Sequence, residues 1–331
     1  MAAYTSIDNP ELLFQCQLYT GNGSADHAIT FDGSENMQPD LVWIKQRDSR
    51  DHFLFNSVVG ATKYLASNTS ALEETDTDTM TGFNADGFTL GSGVGCNENT
   101  DTHVSWNWKE TTGVFDIVTY TGNGSARTIS HNLGVVPQMM IVKKRSNAGG
   151  NWQVNTAQLD ANQLLELDDL SNGLSTDNSY FNNTRPTSSV FSLGTDGNQN
   201  TNTHTYIAYL FGSKQGVSKV GKYLASSDSS SFIFTGFKPA FLIVKQIESG
   251  GNLNWGMFDN RRPGFNSTNS FLYANDSAAE DASNATSIDL LSNGFQLRAN
   301  TVGSNPGKNY IYMAFAESPF VNSKGVPNNS R

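Results

Sequence analysis

Short apolar runs separated by Asn, Ser, Thr and Gly recur along the whole chain. Leu41-Val-Trp-Ile44 and Met139-Met-Ile-Val142 are continuous apolar quartets between turn residues. At that length a strand buried on both faces is favoured over a helix. Val104, Trp106 and Trp108 alternate with Ser105 and Asn107, the period-2 pattern of a half-buried strand. Gly-Asn-Gly at 21–23 and 122–124 supplies positive-φ positions for tight hairpins. Only the stretch 157–170, with Leu159, Leu164, Leu167 and Leu170 roughly on one face, suggests a modest helix. The pattern predicts an all-β chain built as sandwiches or small barrels.

The chain also matches itself. Tyr19-Thr-Gly-Asn-Gly-Ser-Ala25 recurs letter for letter at Tyr120–Ala126, and a degenerate copy begins near Tyr223. Proline, one variable residue, four mostly apolar residues and lysine recur as Pro39–Lys45, Pro137–Lys143 and Pro239–Lys245, spaced by 98 and 102 residues. An aromatic follows each lysine (Phe53, Trp152, Trp255), then Phe88-Thr-Leu90, Phe191-Ser-Leu193 and Phe295-Gln-Leu297. Aromatic strands close the copies at Val104–Trp108, Tyr206–Phe211 and Tyr310–Phe315, with Trp108, Tyr209 and Phe315 expected in one buried slot. Markers in register predict three tandem β-sandwich (jelly-roll-like) repeats of roughly 100 residues each, at 1–110, 111–216 and 217–331. Short linkers at 109–113 and 212–222 favour docked units. Separate domains and one pseudo-symmetric unit both remain open.

Composition narrows the partners. The net charge of −10 opposes nucleic-acid binding, which needs a positive field, and opposes docking on an anionic membrane. No run approaches the ~18 apolar residues of a membrane span. Met1-Ala-Ala-Tyr-Thr-Ser6 has neither a basic nor an apolar leader region, so synthesis in a cytoplasm without a signal peptide is expected. Cys16 and Cys96 show no metal spacing and are read as reduced, although they could pair.

No nucleophile elbow, phosphate loop or His-Glu-x-x-His occurs, so no enzyme, metal or cofactor is expected. His103 and His204 look like one repeated loop position ahead of the closing strand. Asp76 with Asp78, Asp168-Asp169 and Glu280-Asp281 are acidic pairs that a glycosidase could use, but each sits in a polar stretch typical of solvated loops. Asp196-Gly-Asn198-Gln-Asn200 has calcium-loop oxygen spacing, yet Thr201 and Ile207 stand where glycine and an acid belong. Trp43, Trp106, Trp108, Trp152 and Trp255 could stack on sugars or pack the core; their repeat positions favour packing. Arg261-Arg262, beside Asp259 in a Gly/Pro/Asn loop, has no counterpart in the other copies. A loop that breaks its own repeat is where function is grafted, so Arg261, Arg262 and Asp259 are the ligand-binding candidates. An internal salt bridge with Asp259 is the competing role.

Tyr-Thr-Gly-Asn-Gly-Ser, Leu133-Gly134 with Pro137 and Val142-Lys143, the following Trp, Gly-Phe-x-Leu and the closing aromatic strand together resemble a module of marine bacteriophage structural proteins, chiefly tail fibres and receptor-binding proteins. That module is similar to concanavalin-type jelly-roll sandwiches, and the resemblance runs from Leu18 to Phe320. It implies a virion surface structural protein, as a tail-fibre adhesin for a host surface glycan. Capsid decoration is the alternative, and a polysaccharide-degrading tailspike a third. The implied partners are other virion proteins, and a homo-oligomer is expected, trimeric if the chain is a fibre. The third copy departs from the pattern, with Ala225-Ser-Ser-Asp228 in place of Gly-Asn-Gly. The N-terminus lacks the heptads of a coiled-coil stalk, which leaves room for decoration.

Overall fold

The computed structural model describes residues 5–170, 173–226, 231–250, 253–262, 270–282, 288–298 and 302–327. The fold is all-β. The strand pairings are antiparallel, and the described α-helices, Val94–Asn97 and Gly197–Asn200, are single turns.

Three large sheets carry one strand order. The first runs Phe14–Thr20, Thr102–Trp108, Leu41–Gln46, His52–Asn56, Gly60–Leu65 and Glu74–Thr75. The second runs Phe115–Thr121, Thr205–Phe211, Met139–Lys144, Gln153–Thr156, Gln163–Glu166 and Ser175–Thr176. The third runs Ser218–Leu224, Asn309–Pro319, Phe237–Gln246, Gly256–Asp259 and Leu272–Tyr273. A smaller sheet backs each, built on Phe88–Leu90, Val190–Leu193 and Gly294–Leu297 respectively. The apolar quartets are buried on both faces because they lie between two cores. Leu41 and Trp43 enter a core common to all three large sheets, while Val42 and Ile44 enter a local core under the small sheet.

At the centre of the common core stand Trp108, Phe211 and Phe315, which pair respectively with Phe14, Phe115 and Ser218. Their ring centroids are 5.8, 6.1 and 6.2 Å apart, and the planes meet at 70–76°. Each ring thus meets the next edge to face, the arrangement the aromatic quadrupole favours. Phe211, not Tyr209, shares the slot with Trp108 and Phe315. Tyr209 is buried in the register position of Trp106 and Met313.

The sheets are joined head to tail. The ring N–H of Trp152 donates to Ala66 O at 2.9 Å, that of Trp255 to Glu166 O at 2.9 Å, and His52 Nε2 meets Tyr273 O at 2.9 Å. His52 Nδ1 accepts from Trp43 Nε1 at 2.8 Å, which fixes the proton on Nε2. Burial lowers the His52 pKa to about 3. The backbone bonds Glu73 N to Arg145 O, Glu280 N to Arg47 O and Leu174 N to Ile247 O repeat the pattern at the three junctions. Arg145 forks onto Glu73 at 2.6 and 2.9 Å, and Arg47 onto Glu280 at 2.9 and 2.7 Å. At the third junction Ile247 and Leu174 take both places. Second to first, first to third and third to second, these contacts close a ring.

The three repeat lysines are fully buried. Lys45 Nζ donates to Gln46 O and Asp48 O at 2.6 and 2.7 Å, Lys143 Nζ to Gly150 O, and Lys245 Nζ to Leu253 O. Each ties the turn that follows its strand, and burial lowers all three pKa values to about 8.

Several expectations change. The stretch 157–170 is not helical: a turn leads into strand Gln163–Glu166, and Leu165 and Leu167, two apart, enter the common core. Gly-Asn-Gly makes no hairpin, because Phe14–Thr20 and His27–Ile29 belong to different sheets. The loop crosses between layers, and glycine is needed at Gly21 because a Cβ there would lie 2.1 Å from Glu98 O. Ser105 and Asn107 are buried rather than solvent-facing, with Asn107 Nδ2 donating to Gln15 O and Ser105 Oγ. His52, not Phe53, is the counterpart of Trp152 and Trp255 in the junctions. His103 lies inside its strand, stacked on Tyr19 at 4.9 Å as Tyr206 stacks on Tyr120, whereas His204 precedes its strand. The second linker is shorter than expected, since Ser218–Leu224 is a strand. Asp228 of the degenerate third copy lies outside the described residues.

Candidate functional site: a charged cavity between the first and third sheets

Two strands of the third sheet outrun their counterparts. Phe237–Gln246 has 10 residues and Asn309–Pro319 has 11, against 6 for Leu41–Gln46 and 7 for Thr102–Trp108. The extension is bulged on both strands: Lys238 faces Ser318, Pro239 faces Ala316 and Phe241 faces Phe315, which leaves Glu317 on one strand and Ala240 on the other without a register partner. A proline suits this place because it has no N–H to give the ladder. Bulges re-aim side chains, and this one turns Glu317 toward Lys238 Nζ at 2.9 Å and Asn260 Nδ2 at 2.8 Å.

Glu11 faces this group from the first unit, on the 3-10 turn Pro10–Leu12 that Asn9 caps. Glu11 Oε2 accepts from Ser34 N and Oγ at 2.7 and 2.6 Å. Arg261, about one third exposed, forms a 2.7 Å ion pair with Asp32. Glu11, Lys238, Asn260, Arg261 and Glu317 line a cavity of about 310 Å³ that is open to solvent on one side. Next to it, sharing Glu11, Asn260, Arg261 and Glu317, lies a niche of about 20 Å³ that Phe14, Gln15, Cys16, Ala240 and Ala316 also bound. Burial pushes the Cys16 thiol pKa well up, so the niche presents an uncharged sulfur. Both cysteines are free and buried.

The three candidate residues separate into two groups. Asp259 and Arg262 are buried together, with Arg262 Nε donating to Asp259 Oδ2 at 2.7 Å and Nη2 to Met257 O at 2.9 Å. Trp106 Nε1 of the first sheet donates to the same Asp259 Oδ2 at 3.1 Å, and Arg262 Nη1 reaches Glu280 at 3.4 Å. The structure uses this pair to lock the first sheet against the third. Arg261 alone reaches the cavity rim. Its cavity partners Glu11, Lys238, Asn260 and Glu317 carry no sequence signal of their own.

The remaining candidates have structural surroundings. All five tryptophans are buried. Asp76 Oδ1 accepts from Asp78 N at 2.8 Å, and Glu280 is engaged by Arg47. Asp168 caps Trp152 N at 2.9 Å, and burial raises its pKa to about 6. Asp196 caps the turn Gly197–Asn200.

A family model aligns with residues 9–319, from the turn that carries Glu11 to the bulge at Glu317. The chain belongs to the DUF7483 family. That family is described as a domain of unknown function. No curated protein matches the sequence. The DUF7483 match runs through all three sheets as one unit, in keeping with their common core.

Proposed function

We propose that this DUF7483 chain is a non-enzymatic surface protein of a bacteriophage particle that attaches to a host surface glycan. The observation that carries the reading is the division of labour in the ring. The tryptophans, the repeat lysines and the Asp259–Arg262 pair all serve packing, and one charged cavity opens on the bulged extension. A rigid frame of this kind suits display, and several weak contacts on one particle gain avidity through effective concentration. The sequence resemblance to tail-fibre and receptor-binding modules supports the same assignment. Purified protein incubated with host cells should bind saturably, release no oligosaccharide from isolated surface polysaccharide over a day, and bind more tightly once linked into oligomers. Sugar release that stops when Asp76 and Asp78 are changed to Asn would refute it.

Capsid decoration is the second reading, favoured by Phe232 and Phe234. They stand 46% and 49% exposed on an edge strand of the third small sheet. Exposed aromatic pairs suit a protein partner. Binding to empty capsids and indifference to cells would select this reading, and Phe232→Ser with Phe234→Ser should abolish that binding.

A further inference from the structure

We propose that the cavity between the first and third sheets is a subsite for one neutral, polyhydroxylated ring, a single uncharged hexose unit of a glycan. This rests on the adhesion reading and names the ligand class for its site. The argument starts from Asn260. Its Nδ2 must face Glu317, because a carboxylate only accepts hydrogen bonds, and this orients Oδ1 away from Glu317. Oδ1 is buried and has no hydrogen-bond partner among the described residues. A buried acceptor without a donor costs free energy, so the site is completed by a group that donates to it.

The surrounding charge decides which donor. Among the five lining side chains two are cationic (Lys238 and Arg261) and two anionic (Glu11 and Glu317). Lys238 is matched to Glu317, and Arg261 to Asp32 just outside. An anion would have to displace Glu317 from Lys238 or Asp32 from Arg261, and a cation would compete with Ser34 for Glu11 while facing Lys238 and Arg261 across the cavity. A hydroxyl meets neither penalty, because it donates and accepts at once. The size agrees. The cavity, at about 310 Å³, lies at the small end of ligand pockets, which span roughly 300–1,000 Å³. The niche next to it, at about 20 Å³, takes one oxygen atom with its hydrogen. One ring hydroxyl inserted there lies within the walls that Asn260 helps to form. The register counterparts of Arg261 are Val58 and Gln158, and the bulge has no counterpart, so this subsite belongs to one junction of the three.

The test is calorimetric titration of the full chain with methyl glucoside, methyl galactoside, methyl mannoside and N-acetylglucosamine. N-acetylneuraminic acid and glucosamine serve as charged probes. At least one neutral sugar should bind, and the charged probes at least about tenfold more weakly, the equivalent of one lost hydrogen bond. Asn260→Leu should abolish the neutral binding. Arg261→Ala, at an exposed rim position, should weaken it about tenfold. Thermal melts check that both variants fold. Preference for a charged sugar, absence of any neutral binding, or neutral binding untouched by both variants overturns the proposal. Polysaccharide binding by the same proteins is scored separately. If the variants still bind polysaccharide, the subsite falls and adhesion stands; if wild type binds none, adhesion falls whatever the hexose result.

Discussion

Acid should open the ring at His52. The imidazole is fully buried, accepts from Trp43 at Nδ1 and meets carbonyls of the third unit at Nε2, so a second proton has nowhere to go. Its pKa falls from an ordinary 6.5 to about 3 because burial penalises the cation. Below pH 6.5 the unfolded chain takes up a proton that the folded chain refuses. Stability is therefore complete above 6.5 and is lost progressively as pH falls toward 3. At pH 5 the deficit reaches about 1.5 pH units, or about 2 kcal/mol, relative to pH 7.5. His103, lowered to about 4 by burial, adds a similar amount. His52→Gln keeps an acceptor for Trp43 and a donor for Tyr273 but cannot titrate. Guanidinium unfolding at pH 7.5, 6 and 5 should show the variant losing about 2 kcal/mol less than wild type across that range. Identical pH slopes for the two proteins would refute the reasoning, and would mean that water reaches the ring.

Other outcomes follow from the same contacts. Phe211→Ala should cost about 3–5 kcal/mol in a denaturation curve, since it removes one ring of the central triangle. Arg145→Ile alone should cost about 3 kcal/mol by stranding Glu73, whereas Arg145→Ile with Glu73→Leu, which copies the Ile247 and Leu174 junction, should lie within about 1 kcal/mol of wild type. The repeat lysines have folded pKa values of about 8, below the unfolded 10.5. The unfolded chain thus holds more protons between those limits, and each lysine should add about 1–2 kcal/mol of stability between pH 7.5 and 9.5. Lys143→Met should remove about a third of that rise in chemical denaturation.

Much of this architecture is legible in the sequence. The apolar quartets, the closing strands and the repeated lysines name the strands of each large sheet, because strand burial writes itself into local periodicity. What failed was decided by packing at a distance. Ser105 and Asn107 look solvent-facing because polarity reports exposure only when nothing covers the residue. The sequence favours Phe53 over His52, since the choice of which neighbour enters the junction depends on the strand's phase. The leucines of 157–170 fit a helical face as well as they fit a strand, and pairing with Gln153–Thr156 chose the strand. Arg261 stands out in the sequence through its lack of a counterpart. Lys238, Asn260 and Glu317 do not, because a bulge leaves no mark in the residues it re-aims.

The ring closes within one polypeptide, so its three junctions are encoded by different residues. A ring of three identical chains must change every junction at once when one residue changes. Here Arg47 and Glu280 hold one junction by charge while Ile247 and Leu174 hold another by apolar contact. Freed from copying itself threefold, the junction of the first and third units could acquire its bulge without the other two following, and so bring Glu11, Lys238, Asn260, Arg261 and Glu317 around one cavity.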